Sequence, residues 1–335
     1  MKSPSPVLEG RTFSAGDQDV LRRCVEQIAR NVVGRSPAII GIDRVLSNFS
    51  SSYATDIIRV RLDTGADFRI FLKDFGVSQL SKDGKELRRD RELCVYRDLL
   101  ADAGLGTATY YGSVWDEPAG RFWLLLELVS GKEVRSCGIE HWIEAAGWLG
   151  RLHRHFERYA HRLKDLPALL RHDVDFFRSK AAMAVRDVSH ISPRLAGRLR
   201  VIVERYEPLC ELMASQPGTL VHGAYRPSNI LVNTDAAPVR MCAVDWELAS
   251  CGSPMYDLAT WTDGFKPPVL ELLFDAYRQW APLPDKKELA FVLGCFRLHR
   301  VMNWLSRSLE KQFAEAQVEK LVSIGERLDA QVHWC

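Results

Sequence analysis

Residues 220–245 hold the side chains best placed for chemistry. His222, Gly223 and Asn229 lie between the apolar pair Leu220-Val221 and the run Ile230-Leu231-Val232, so they belong to a loop held by short buried strands. Asn229 offers an amide oxygen and Asp245 a carboxylate, both hard donors of the kind Mg²⁺ takes. A hairpin from Ile230 to Val244 would bring the two together as a paired oxygen site. Either residue alone reads more simply, as a turn cap or an ordinary hydrogen-bond partner. The pair at this spacing is more specific.

The chain that must position this loop has 335 residues, enough for two lobes. Hydrophobic residues make up 47% and charged residues 26%, an ordinary globular composition. The formal net charge of +2 gives no electrostatic reason to expect nucleic acid or an anionic membrane as partner. The apolar run Phe122 to Val129 is too short to span a bilayer. The start, MKSPSPVLEGRTFSAGDQ, lacks the apolar stretch of a secretory signal, so a cytoplasmic location is the default expectation. The eight cysteines are scattered with no CxxC spacing, which favours free buried thiols over disulfides or zinc.

Leu21 to Val33 has the pattern of a short amphipathic helix. Two strand-like runs follow, YATDIIRVRL from Tyr53 and DFRIFLKDF from Asp67, joined by the turn composition Asp63-Thr64-Gly65-Ala66. In the second run Phe68, Ile70 and Leu72 share one face, and Arg69, Phe71 and Lys73 the other. SKDGKELRRDRELCVYRDLL then reads as a helix, with Leu87, Leu93, Tyr96 and Leu100 expected on its buried side. Another strand pair is expected around Thr109 to Val114 and Arg121 to Leu128. After Ser130-Gly131 the chain becomes mainly helical, apart from a β-rich island at Leu220 to Val244.

HGAYRPSN at 222–229, the hairpin, VDWE at 244–247 and GSPMYDLA ending at Ala259 together resemble the aminoglycoside phosphotransferase and choline-kinase-like families, which share the protein-kinase-like fold. The resemblance covers most of the chain, although its sharp motifs lie between Leu220 and Ala259. It implies an α+β, two-lobed fold: a small N-terminal β-sheet lobe over 1–129 for the nucleotide, and a larger, mainly helical lobe over 130–335 for catalysis and the acceptor. It also implies ATP or GTP as donor, with Mg²⁺ held by Asn229 and Asp245. Asp257 and His222 become structural residues of the loop. Lys73 takes the place of the strand lysine that holds the nucleotide phosphates, paired with Glu92 or, as the alternative, Glu86. The serine-rich stretch Ser47 to Tyr53, including Ser50 and Ser51, takes the place of the phosphate-covering loop. Glu127-Leu128-Val129 matches the segment linking the lobes, whose backbone meets adenine.

The family's loop keeps an aspartate as base where this chain has Ala224. General-base assistance is worth roughly 10²–10⁴-fold, whereas positioning and charge neutralisation carry most of phosphoryl transfer. The expected loss is therefore in rate or acceptor chemistry, not in nucleotide binding. Arg226 falls where it can supply charge to the transferred phosphate; Glu247 and Tyr225 are weak candidates for a substitute base. Three explanations fit: a natural variant whose acceptor needs little base assistance, a pseudokinase-like module that binds nucleotide without transfer, or an introduced Asp→Ala exchange. A phosphotransferase with weakened or unusual catalysis is favoured. From Lys266 to Cys335 nine Asp and Glu stand against ten Lys and Arg, so no surplus of carboxylate awaits a polycationic aminoglycoside. A neutral or mildly polar small-molecule acceptor is expected, with Trp261, Trp280, Trp304 and Trp334 as aromatic surface. The sequence carries no signal for oligomeric state.

Overall fold

The computed structural model describes residues 13–33, 37–47, 53–78 and 84–333. The chain forms two compact units, Met1–Gly131 and Lys132–Cys335.

The first unit is built on one antiparallel sheet. Helix α1 (Ala15–Val33) precedes strands β1 (Ile39–Leu46), β2 (Tyr53–Leu62) and β3 (Asp67–Ser78). Helix α2 (Lys85–Cys94) continues as a wider π-type turn through Leu100, and strands β4 (Tyr110–Asp116) and β5 (Arg121–Glu127) complete the sheet in the order β1-β2-β3-β5-β4. Leu21, Val25 and Ile28 of α1 pack with Ile58, Val60, Ile70, Leu72, Trp123 and Leu125, so the even positions of β3 face this core. Lys73, the next residue along, therefore points to the opposite face.

Two expectations need correction here, and one strand is unanticipated. Helix α1 begins six residues before Leu21, because Ser14 and Asp17 form a reciprocal cap: the Ser14 Oγ accepts the Asp17 N–H at 3.1 Å, and Asp17 accepts the Ser14 N–H at 3.1 Å. Strand β1 is an element that the sequence pattern does not announce. It is an edge strand with Gly41, Asp43 and Arg44 in its middle and a largely exposed surface, so no apolar alternation marks it. Leu87 is 61% exposed, whereas Leu93, Tyr96 and Leu100 are buried. Six residues separate Leu87 from Leu93, which puts it about two thirds of a turn out of phase with the buried stripe.

The second unit runs β6 (Lys132–Glu133), α3 (Ile139–Glu157), α4 (Ala160–Asp165), β7 (Leu170–Arg171), α5 (Val174–Ile191), α6 (Pro193–Val203), α7 (Glu207–Ser215) and β8 (Thr219–Val221). It continues with β9 (Ile230–Asn233), β10 (Arg240–Ala243), β11 (Ser250–Gly252), α8 (Met255–Trp261), α9 (Val269–Arg278), α10 (Lys286–Leu305) and α11 (Glu315–His333). Two three-stranded sheets, β10-β9-β6 and β7-β11-β8, sit among the helices and carry the loop between β8 and β9. Helices α3 and α9 pack closely: a Cβ on Gly150 would lie 2.7 Å from the Tyr277 carbonyl oxygen. The seven described cysteines are free thiols. Among the described residues no helix is long and apolar enough to cross a membrane.

The phase of α2 can be measured directly. Leu93→Ala should cost about 2–5 kcal/mol of unfolding free energy as a large-to-small core change, and Leu87→Ala no more than about 0.5 kcal/mol as a surface change. Urea denaturation of both variants reads the difference; equal losses would mean that Leu87 is buried.

Candidate functional site

The loop from His222 to Asn229 hangs on a buried carboxylate. Asp257 of α8, fully shielded from solvent, accepts the His222 N–H at 2.7 Å and the Gly223 N–H at 3.0 Å. His153 of α3 meets the same carboxylate at 3.4 Å through Nε2, and its Nδ1 lies 2.9 Å from the Tyr277 hydroxyl. The His222 ring acts as a strut. The Ala224 N–H donates to its Nδ1 at 3.2 Å, which leaves the ring proton on Nε2, and Nε2 donates to the Val244 carbonyl at 3.1 Å. Burial holds its pKa below the usual histidine range, so the ring is neutral and tied at both nitrogens. Gly223 has φ +77°, and a Cβ there would sit 2.1 Å from the Leu248 carbonyl oxygen. Only glycine fits.

Asn229 and Asp245 leave the β9–β10 ladder at the same end. The register pairs Ile230 with Ala243, and the Val244 N–H donates to the Asn229 carbonyl at 2.9 Å. The Asn229 amide nitrogen donates to the Ala224 carbonyl at 3.1 Å, which sets the orientation of its oxygen. Asp245 is half-buried and adopts φ +68°, a left-handed conformation that aspartate tolerates better than most residues. Two hard oxygen donors on a hairpin end fit Mg²⁺, which takes one or two protein oxygens and completes its shell with phosphate oxygens and water.

In the first unit, Lys73 Nζ lies 2.6 Å from Glu92 Oε2, and the two side chains are 5% and 3% exposed. Glu86 is exposed, so Glu92 is the partner. The lysine head also lies 5.2 Å from the Phe75 ring centroid and 5.6 Å from that of Tyr53. A deeply shielded ammonium of this kind is not the solvated strand lysine that a surface position would give. Glu127 closes β5, and its carboxylate accepts the Thr109 N–H at 3.1 Å and hydroxyl at 3.0 Å. Val129 is buried beyond it. Ser50 and Ser51 lie outside the described residues.

Ala224 and Arg226 line a cavity of about 480 Å³ within the second unit. Its other walls include Trp142 of α3, Trp261 of α8, and Arg300 and Trp304 of α10, with Arg307 just beyond. Trp261 and Trp304 are among the tryptophans expected there. Trp280 is instead half-exposed, with the Arg151 guanidinium 5.3 Å from its ring centroid, and Trp334 lies outside the described residues. Sequence reasoning missed Trp142, Arg300 and Arg307. Arg300 and Trp304 share a face of α10 at i, i+4 spacing, the one signal that could have found Arg300, whereas Arg307 follows in the turn after the helix ends at Leu305.

The phosphotransferase enzyme family, APH, matches residues 51–292. The chain belongs to this family. The fold agrees: solved relatives include a microcompartment-associated aminopropanol kinase at 19% identity and TM-score 0.52, covering 91% of this chain and 96% of that one. The macrolide 2′-phosphotransferase MphH from Brachybacterium faecium matches at 15% identity and TM-score 0.54, covering 90% and 96%. An APH(2″) enzyme solved with GDP and kanamycin matches at 13% and TM-score 0.50, covering 93% and 98%. Among curated proteins none matches the chain. The family fixes the architecture as kinase-like α+β, with the β-sheet unit first and the mainly helical unit second.

Burial of the Lys73–Glu92 pair has an energetic consequence. Lys73→Met should cost about 3–5 kcal/mol, because it leaves the Glu92 carboxylate buried without its ammonium. Lys73→Met combined with Glu92→Leu should regain most of that loss. A double-mutant cycle by urea denaturation checks it; simple additivity would show that the two charges are not coupled.

Proposed function

We propose that the chain transfers the terminal phosphate of ATP or GTP to a hydroxyl group of a small molecule, with Mg²⁺, and that its rate is held down by the absent base. The observation that carries this reading is the placement of Ala224. The loop around it keeps the whole hydrogen-bond frame of Asp257, His222 and Asn229, and its methyl group stands in the wall of a cavity large enough for an acceptor. Kinase relatives of the same fold support a nucleotide donor, and the relative solved with GDP keeps GTP beside ATP.

In this reading Asn229 and Asp245 would hold Mg²⁺, which neutralises phosphate charge when bound. Lys73, oriented by Glu92, binds the nucleotide phosphates. Arg226 supplies charge to the transferred group. The acceptor oxygen forms the new bond to phosphorus, the bond to the nucleoside diphosphate breaks, and the hydroxyl proton goes to water. Ala224 cannot take it. Tyr225 cannot either: its hydroxyl donates to the Ala145 carbonyl at 2.7 Å, and burial raises its pKa well above the usual value. Glu247 is buried and is not part of the cavity wall.

Millimolar ATP or GTP with Mg²⁺ should raise the melting temperature, since a ligand at one hundred times its Kd adds about 2.7 kcal/mol to the folded state. Asp245→Ala should remove the Mg²⁺-dependent part of that rise. An unchanged melting curve for the parent protein with both nucleotides would sink the nucleotide reading.

Ala224→Asp should raise phosphotransfer or background nucleotide hydrolysis by up to roughly 10²–10⁴-fold. Steady-state release of the nucleoside diphosphate reads the change. No gain over a measurable parent rate would point to a reaction that needs no base at this position. Nucleotide binding without turnover in either form would favour a pseudokinase-like binding module.

A further inference from the structure

The wall of the cavity beside Ala224 is cationic and aromatic. Arg226, Arg300 and Arg307 line it against a single carboxylate, Asp263. Their donors are not used up by the protein. The Arg226 side chain is exposed and makes no hydrogen bond or ion pair with the described residues. Arg300 uses Nη1 for the Ala259 carbonyl at 3.1 Å and for Asp263 at 3.2 Å, leaving Nε and Nη2 without a protein partner among the described residues. Arg307 holds Glu310 through Nε and Nη2, each at 3.0 Å, which leaves Nη1. The Glu310 bond keeps the Arg307 guanidinium firmly charged, with Glu247 adding to the effect, and Glu310 itself is drawn down to about 2.

The aromatic part is a corner rather than scattered rings. Trp142 stands 5.0 Å from Trp261 at 32° and 5.3 Å from Phe265 at 73°, centroid to centroid. Trp304, 40% exposed, adds a further flat surface. Such a corner accepts a planar apolar body, and unspent guanidinium donors nearby accept a carboxylate or phosphate in a forked geometry. An acceptor bearing several ammonium groups would meet three guanidiniums instead.

We propose that this cavity takes a small hydroxyl-bearing molecule with a planar apolar body and one anionic group, held by Arg226, Arg300 and Arg307. The inference rests on the phosphotransferase reading for the role of that molecule as acceptor; its charge preference stands on the cavity alone. It replaces the neutral or mildly polar acceptor that bulk charge suggests, because the charges of the C-terminal helices balance overall but not within this wall.

The test uses the nucleotide-free protein and three probes of one shape: a hydroxymethyl-naphthoate, the matching carboxamide and the matching aminomethyl compound. Binding is followed by tryptophan fluorescence and by calorimetry. The carboxylate should bind about tenfold more tightly than the carboxamide, and the amine most weakly. Arg300→Gln should cut carboxylate affinity several-fold and leave carboxamide affinity within about twofold. Arg226→Gln, at an exposed side chain without protein partners, should do the same and guards against an Arg300 variant that folds poorly. Equal binding of all three probes, preference for the amine, no binding at millimolar concentration, or equal loss of carboxylate and carboxamide in the Arg226 variant would overturn the proposal. Nucleotide titration of the same sample separates the two readings. Mg²⁺-nucleotide binding without carboxylate preference removes this inference alone, and carboxylate preference without nucleotide binding supports the cavity's specificity while removing phosphotransfer.

Discussion

A carboxylate with no access to water holds the backbone at His222 and Gly223, and the rest of the site is tied to that anchor. Asp257 would cost several kcal/mol to bury alone; two backbone N–H groups and the His153 ring surround it instead. Gly223 turns in a left-handed conformation against the Leu248 carbonyl, and the preceding His222 ring lies across the loop. That ring spans from the Ala224 N–H to the Val244 carbonyl, joining the loop to the end of the hairpin. The Ala224 carbonyl in turn orients the Asn229 amide. One buried side chain thus anchors the loop backbone at His222 and Gly223, and through the His222 ring and the Ala224 carbonyl the frame reaches the Val244 carbonyl beside Asp245 and the Asn229 amide. None of these bonds uses the side chain at 224, so the loop keeps its shape with a methyl group there.

The same frame explains which parts of the site are legible in the amino-acid sequence. His222, Gly223, Asn229 and Asp257 belong to one hydrogen-bonded network, and Asp245 follows Val244, which that network holds; all five lie within 36 residues, so their types and spacing are mutually constrained and readable. Lys73 is readable because period-two alternation puts it opposite Ile70 and Leu72, away from the α1 core. Its burial is not, since shielding depends on Tyr53, Phe75 and α2 closing around it. Strand β1 escapes because an edge strand pairs on one side only and can carry charge in its middle. The cavity wall escapes for a different reason. Trp142 sits 82 residues upstream of Ala224, and nothing local links it to Arg300 or Arg307. A count of charges from Lys266 to Cys335 leaves out Arg226 and Asp263 and dilutes Arg300 and Arg307 among the other charges of those helices.

Ala224 and the arginines beside it belong to one electrostatic arrangement. An aspartate at that position would stand next to Arg226 in the cavity wall, reducing the attraction felt by an anionic ligand. At an effective dielectric of about 20, a carboxylate roughly 6 Å from a bound anion repels it by about 3 kcal/mol. That is comparable to what one charge-assisted hydrogen bond from a guanidinium returns, roughly 1.5–3 kcal/mol. A cavity with an aspartate in its wall would therefore set a base against the affinity for an acidic acceptor, whereas a methyl group gives up proton transfer and leaves the arginines to act. In the proposed reading the cost in rate is that of base assistance at this position, roughly 10²–10⁴-fold, and the parts assigned to Lys73, Asn229 and Asp245 do not involve residue 224. On this account the alanine does not by itself mark a dead site. In the proposed reading it trades base assistance for affinity toward an anionic acceptor.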